Sequence, residues 1–160
     1  MASEIKVDTI FNAGGDNDTG IDLATNDQIL LKVANATKLT MNSTGQTTIV
    51  GEGGTTTTSV QQGLCKAWCR FDDGSSSDSF NIASVTDHGT GDYQVFIAND
   101  MANATYTASL MFGENGGSGV LRIGNRDIAA GSVGVVGTNG AMSSAQDVNR
   151  CGIDVSGDLA

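Results

Sequence analysis

Apolar and polar residues alternate with a period of two along most of this chain, and no stretch holds a convincing helical period. In residues 3–11, SEIKVDTIF, Ile5 and Val7 share one face and Lys6 and Asp8 the other, as in a half-buried strand. A turn-rich loop, residues 12–20, follows. Residues 21–50 then break into very short strands, among them IDL, ILLKV, KLTM and TTIV, with turn residues every eight to ten positions. Pieces this short cannot bury a core within one chain. Two arrangements remain open: a small meander packed on the second half, or a stalk in which three chains bury their alternate residues about a common axis. The second also protects strand edges and is the arrangement we expect.

Residues 51–59, GEGGTTTTS, contain no apolar side chain and read as a connector. Beyond it the strands lengthen. In 64–71, LCKAWCRF, Cys65, Ala67, Cys69 and Phe71 face one way, and Lys66, Trp68 and Arg70 the other; the two cations either sheathe the indole or, as we expect, simply give amphipathic cover to Trp68 as a core framework residue. Asp72–Asp78 reads as a polar loop. Phe80 and Ile82 share a face, and Tyr93, Val95 and Ile97 share a face in a return strand. Between them, Gly89 and Gly91 supply the backbone freedom that a tight hairpin demands. Residues 106–112, 120–123, 132–136 and 148–155 complete about seven strands. The expected fold is all-β: an extended β-stalk, then an antiparallel β-sandwich or jelly-roll-like head.

Composition adds an argument about assembly. The chain has 22 glycines in 160 residues, no proline and only 5 % aromatics. So little large apolar surface must offset about 1–2 kcal/mol of backbone ordering per residue, which favours a core shared between chains. The formal net charge of −10 opposes binding to nucleic acid or insertion at an anionic membrane surface. No apolar run approaches the roughly 20 residues of a membrane helix, and the opening MASEIKVDTI lacks the build of a signal peptide. Cys65 and Cys69 stand about 13 Å apart along one strand, too far to bridge. Cys151 can pair with one of them only from an adjacent strand. All three read as small buried apolar residues of a protein made in a reducing cytoplasm.

Candidate chemistry is thin. His88, the only histidine, sits in the hairpin turn with nothing to orient it, and no G-x-S-x-G elbow accompanies the many serines. Asp72 and Asp73 could form a glycosidase pair on paper, but lie in a Gly/Ser-rich segment that reads as solvated. Residues 16–22, DNDTGID, miss the calcium-loop pattern, and Gly131–Gly137 lacks the order of a nucleotide loop. Asn35, Asn42 and Asn103 open glycosylation sequons and read as turn formers. We therefore expect no catalytic residue, metal or cofactor.

The segment Lys66-Ala67-Trp68 with Phe71, then Ser79-Phe80-Asn81-Ile82, resembles a module of virion fibre proteins from tailed bacteriophages of marine bacteria. Ser84-Val85-Thr86-Asp87-His88-Gly89-Thr90-Gly91-Asp92-Tyr93 and Met101-Ala102-Asn103-Ala104-Thr105-Tyr106 extend the likeness, with Ala102 where the module usually has proline. The resemblance implies a homotrimeric structural protein with no activity at any single residue. It would attach to other virion proteins through residues 1–12, form a stalk and connector over 13–59, and present a head over 60–160. The implied function is a short tail fibre that adheres to a host surface glycan or protein. The alternative is a head fibre, capsid decoration or adaptor. The loops Asp72–Asp78, Gly113–Gly119 and Thr138–Ser144 are the expected contact surfaces.

Overall fold

The computed structural model describes residues 6–12, 14, 18–51, 54–113, 119–124, 126 and 128–160. Strand accounts for 54 % of the chain and helix for 3 %, so the protein is all-β with antiparallel sheets. The chain divides into two compact units, Met1–Gly63 and Leu64–Ala160.

The first unit is one sheet, a meander of β1 (Thr9–Phe11), β2 (Gly20–Asp22), β3 (Ile29–Val33), β4 (Ala36–Met41), β5 (Thr47–Val50) and β6 (Thr57–Ser59), closed by a single helical turn, α1 (Val60–Gly63). Each strand pairs with its sequence neighbour. Segments 9–11 and 57–59, read as attachment segment and connector, are the two edge strands. The link between β3 and β4 is two residues long, and Ala34 and Asn35 both adopt positive φ, 52° and 58°. That twist matches the strands it joins.

Register sorts this sheet into two faces. Ile10, Ile21, Leu31, Leu39 and Ile49 stand directly opposite one another across five strands. Thr9, Asp22, Leu30, Thr40, Thr48 and Ser59 form the next row, on the other face. The mostly polar face also carries Lys32, whose ammonium lies 2.6 Å from the Asp22 carboxylate. The lysine, together with the Ala24 N–H at 3.0 Å, holds the Asp22 carboxyl below its usual value. The apolar row is left open: Ile10 is 52 % exposed and Leu31 and Ile49 38 % each.

The second unit is two packed sheets. Its strands are β7 (Ala67–Asp72), β8 (Ser75–Phe80), β9 (Ile82–Asp87), β10 (Asp92–Ile97), β11 (Thr107–Met111), β12 (Gly119–Ile123), β13 (Ser132–Asn139) and β14 (Cys151–Ser156). One sheet runs β11-β14-β7-β8 and the other β12-β13-β10-β9. Between them lie Ala67, Cys69 and Phe71 of β7, Tyr93, Val95 and Ile97 of β10, Val133 and Val135 of β13, and Cys151, Ile153 and Val155 of β14. The alternation in β7 and β10 is therefore the core pattern itself. β13 is buried almost along its length because, besides pairing on both sides, it lies under other chain: a Cβ at Gly134 would sit 2.1 Å from the Arg126 carbonyl oxygen.

Several sequence expectations change here. Phe80 and Ile82 do not share a face. Asn81, at φ 54°, turns the chain from the first sheet to the second between them. Its amide donates to the Lys66 and Asn99 carbonyls at 3.0 and 3.2 Å, while its side-chain oxygen accepts the Asn99 N–H at 2.8 Å. Ile82 packs against the core, and Phe80 is left 55 % exposed. Asp72–Asp78 is not a loop: Asp73 and Gly74, at φ 44° and 78°, make a two-residue turn and Ser75–Phe80 is an edge strand. Cys65 is exposed, because the strand begins only at Ala67, whereas Cys69 and Cys151 are buried. β14 does lie beside β7, yet Cys151 faces Phe71 and Ile153 faces Cys69. Such diagonal neighbours stand about 7–8 Å apart, beyond disulfide reach, and both thiols are free.

Burial ranks the two phenylalanines. Phe71→Ala should cost about 3–5 kcal/mol, as for a core aromatic, whereas Phe80→Ser should stay within about 0.5 kcal/mol. Urea unfolding of the full chain, followed through Trp68 fluorescence, measures both; comparable losses would contradict this arrangement.

Candidate functional site

The acidic pair read from the sequence is structural. Asp72 accepts the Arg150 N–H, and the Asp73 carboxylate lies 3.1 Å from the Tyr93 hydroxyl. That hydroxyl accepts the Val148 N–H at 3.1 Å and also lies 3.4 Å from Asp147, whose carboxylate takes the Gly91 N–H at 2.7 Å. The two aspartates thus clamp separate chain segments, one against Tyr93 and one against the 148–150 approach to β14. Neither is left as a free acid or base beside the other. Gly91 has no room for a side chain: a Cβ would lie 2.3 Å from the Gly137 carbonyl oxygen.

His88 sits exposed in the turn, where its backbone N–H donates to the Asp92 carbonyl at 2.8 Å, and among the described residues no carboxylate orients its ring. Asn42 and Asn103 use their side-chain oxygens to accept N–H groups two residues on, Thr44 at 3.2 Å and Thr105 at 2.7 Å, as turn formers do. Of the calcium-like segment, Asp16 and Asn17 lie outside the described residues, and Asp22 is engaged by Lys32. Among the described residues no three His, Cys, Asp or Glu side chains are grouped to hold a metal ion.

The three expected contact loops fare differently. Asp72–Asp78 is a hairpin and edge strand. Residues 114–118 of the Gly113–Gly119 loop lie outside the described residues. Thr138 is a buried end of β13, 5 % exposed, and only residues 140–144 form an exposed tip, tied back by the Asn139 amide to Ser143 and Ser144 at 3.0 and 2.9 Å.

A more developed surface lies on the outer face of the β11-β14-β7-β8 sheet. Trp68 stands opposite Phe80 on one side and Asp154 on the other. One step along, Arg70 stands opposite Gly152, and Gly152 opposite Met111. Gly152 carries no side chain and is itself buried, with the Met111 side chain folded toward it: a Cβ there would meet the Met111 terminal methyl at 3.2 Å. This strip forms part of a groove of about 410 Å³ lined by Trp68, Arg70, Met111, Arg150, Gly152 and Asp154. Met111 is 66 % exposed and Trp68 half-buried, so the tryptophan is not a core framework residue but a surface one. The Lys66–Trp68–Arg70 sheath also fails in part. Lys66 is buried at 7 % exposure and spends its ammonium on the Leu64 carbonyl at 2.8 Å. Of this surface, sequence alone marked Trp68 and Arg70. Met111, Gly152 and Asp154 come from strands, and Arg150 from the residue just before one, about forty to ninety residues away, and only the pairing brings them together.

Comparison of the chain with protein-family models, with curated proteins and with solved structures finds no match.

Buried acids in the core control the alkaline limit. Burial, and then the charge of Asp154, pushes the Cys69 thiol up to about 12. Burial, and then Asp72, pushes Cys151 up to about 11. Burial alone pushes the Tyr106 phenol up to about 12. It also raises Tyr93; the Val148 N–H pulls the other way, and Asp73 and Asp147 push upward again. An unfolded chain ionises thiols at 9.0 and phenols at 10.0, so above those values it holds fewer protons than the folded chain. Stability is then lost as pH rises. The urea midpoint should hold steady to about pH 8 and fall from about pH 9 upward. In the double variant Cys69→Ala with Cys151→Ala, the onset should move toward the tyrosine range near 10.0.

Proposed function

We propose that this chain is the subunit of a homotrimeric virion fibre of a tailed phage, a short tail fibre that adheres to the host surface. The observation that carries the reading is the uncovered apolar row Ile10–Ile21–Leu31–Leu39–Ile49 on a single-layer sheet. A sheet with one apolar face needs a partner layer to be stable. Ile29, Val33 and Met41, 44 %, 49 % and 42 % exposed, lie on the same face and widen the patch. Three such faces turned toward a common axis supply that layer to one another, which is the stalk arrangement the module resemblance implies. The second unit is the head in this reading, and three copies turn weak contacts into useful avidity. No residue is assigned a catalytic role.

Light scattering on the purified chain should give three times 16.3 kDa per particle. Leu31→Asp, placing a charge in the middle of the apolar row, should abolish the trimer. Thr40→Asp on the opposite face should leave it intact. A monomeric mass for the unaltered protein would sink the reading. Antibody against the head that decorates tail tips and blocks adsorption is the expected result on intact particles; decoration of the capsid would shift the assignment to a head fibre or decoration protein.

A further inference from the structure

We infer that the groove on the outer face of the β11-β14-β7-β8 sheet binds a carboxylated saccharide, a chain bearing uronic-acid-type sugars. The inference rests on the adhesion reading above and gives it a ligand class.

The groove combines an apolar platform with a small number of directed polar groups, the usual makeup of a small-ligand site. Trp68 and Met111 supply exposed apolar surface on which the C–H face of a sugar ring can lie. Asp154 is the direct cross-strand neighbour of Trp68, so a carboxylate stands beside the indole, about 5 Å away at Cβ, where it can accept hydroxyl protons from a ring on that indole. Gly152, between Arg70 and Met111 across two strand spacings, roughly 10 Å, adds no side chain of its own, and the Met111 side chain lies against it to form the floor of the groove there.

The charges select the ligand. The described ion pairs join Lys32 to Asp22 and Arg126 to Asp92, and leave the Arg70 and Arg150 guanidinium groups without an acidic partner among the described residues. Two exposed guanidinium groups stand on the rim of one groove; Asp78 is the cross-strand neighbour of Arg70 on β8 and Asp154 lines the groove, yet neither carboxylate forms an ion pair with them, which leaves both guanidinium groups available to a ligand carboxylate. Guanidinium pairs with a carboxylate through two parallel hydrogen bonds. A second copy of this chain is a poorer occupant, because permanent protein interfaces deplete charge at their centre and this face carries Arg70, Arg150 and Asp154 there. Nucleic acid is disfavoured by the overall acidity.

Calorimetry on the intact protein with trigalacturonate and with a hyaluronan tetrasaccharide tests this directly. At least one should bind, and methyl esterification, which removes the charge and keeps the rings, should weaken binding about tenfold or more, as expected for a lost hydrogen bond between charged groups. Arg70→Gln should weaken binding of the free acid by a similar factor and erase the preference over the ester. Gly152→Val should weaken binding by displacing the Met111 side chain that forms part of the platform, since a Cβ there comes within 3.2 Å of the Met111 terminal methyl. Melting temperatures of both variants should stay near that of the unaltered protein. Binding of neither saccharide, equal affinity for acid and ester, equally tight binding of polyglutamate, or unchanged affinity in both variants would each overturn the inference. Light scattering keeps it separate from the fibre reading. A trimer that binds neither probe sinks the groove alone; a monomer that binds one sinks the fibre alone.

Discussion

The head depends on one contact, between the rings of Phe71 and Tyr93, whose centroids lie 5.7 Å apart at 58°. Phe71 belongs to one sheet and Tyr93 to the other, so this tilted pair sets the spacing of the sandwich while filling its centre. The Tyr93 hydroxyl then reaches the rim, where Asp73, Asp147 and the Val148 N–H converge on it. One side chain is thus anchored in the core at one end and gathers the β7–β8 turn and the approach to β14 at the other. Tyr106 repeats the device elsewhere, with its hydroxyl 2.8 and 2.9 Å from the Ala129 and Ser132 carbonyls. With so few aromatics, the remaining core is valine, isoleucine, cysteine, Met101 and Ala67, and these two tyrosines do much of the cross-sheet tying.

The first unit has no equivalent. Its strands are three to six residues long and its register aligns the apolar residues into a row without a second layer to receive them. The two units therefore solve the same problem, a chain poor in large side chains, in different ways. The head closes on itself with two sheets, and the N-terminal sheet keeps one apolar face with no second layer of its own among the described residues. The head's own outer face is different in kind, because its half-buried Trp68 and exposed Met111 are interrupted by Arg70 and Asp154. An apolar row suits a permanent partner, whereas mixed charge and aromatic surface suits a ligand that comes and goes.

Much of the fold was legible because alternation is a local property. The faces of β7 and β10 and the Asp87–Asp92 hairpin followed from spacing and glycines. The misreadings share one cause. Asp73-Gly74 is a strong hairpin signal, but the serines after it looked like loop, since an edge strand with both faces wet has no apolar residue to announce it. Asn81 concealed the sheet change between Phe80 and Ile82, because a left-handed asparagine interrupts alternation without breaking its count. Cys65 was counted into the buried face by extending a period past the point where the strand begins. The candidate groove was barely visible: its glycine, acid, methionine and second arginine sit on partners chosen by pairing.

By itself, then, the sequence determined that this protein is built of strands, which residues alternate inward, where the central hairpin turns, and that its surface is acidic. Those properties depend on neighbours two to four residues apart. Only the tertiary structure decided which strands pair and which face is covered. It placed Trp68 outside and Tyr93 inside, although both occupy alternating strands of similar composition. It also set Asp154 beside Trp68 and Gly152 between Arg70 and Met111. Such relations depend on register between segments far apart in the chain, and a shift of one residue would turn every side chain to the other face.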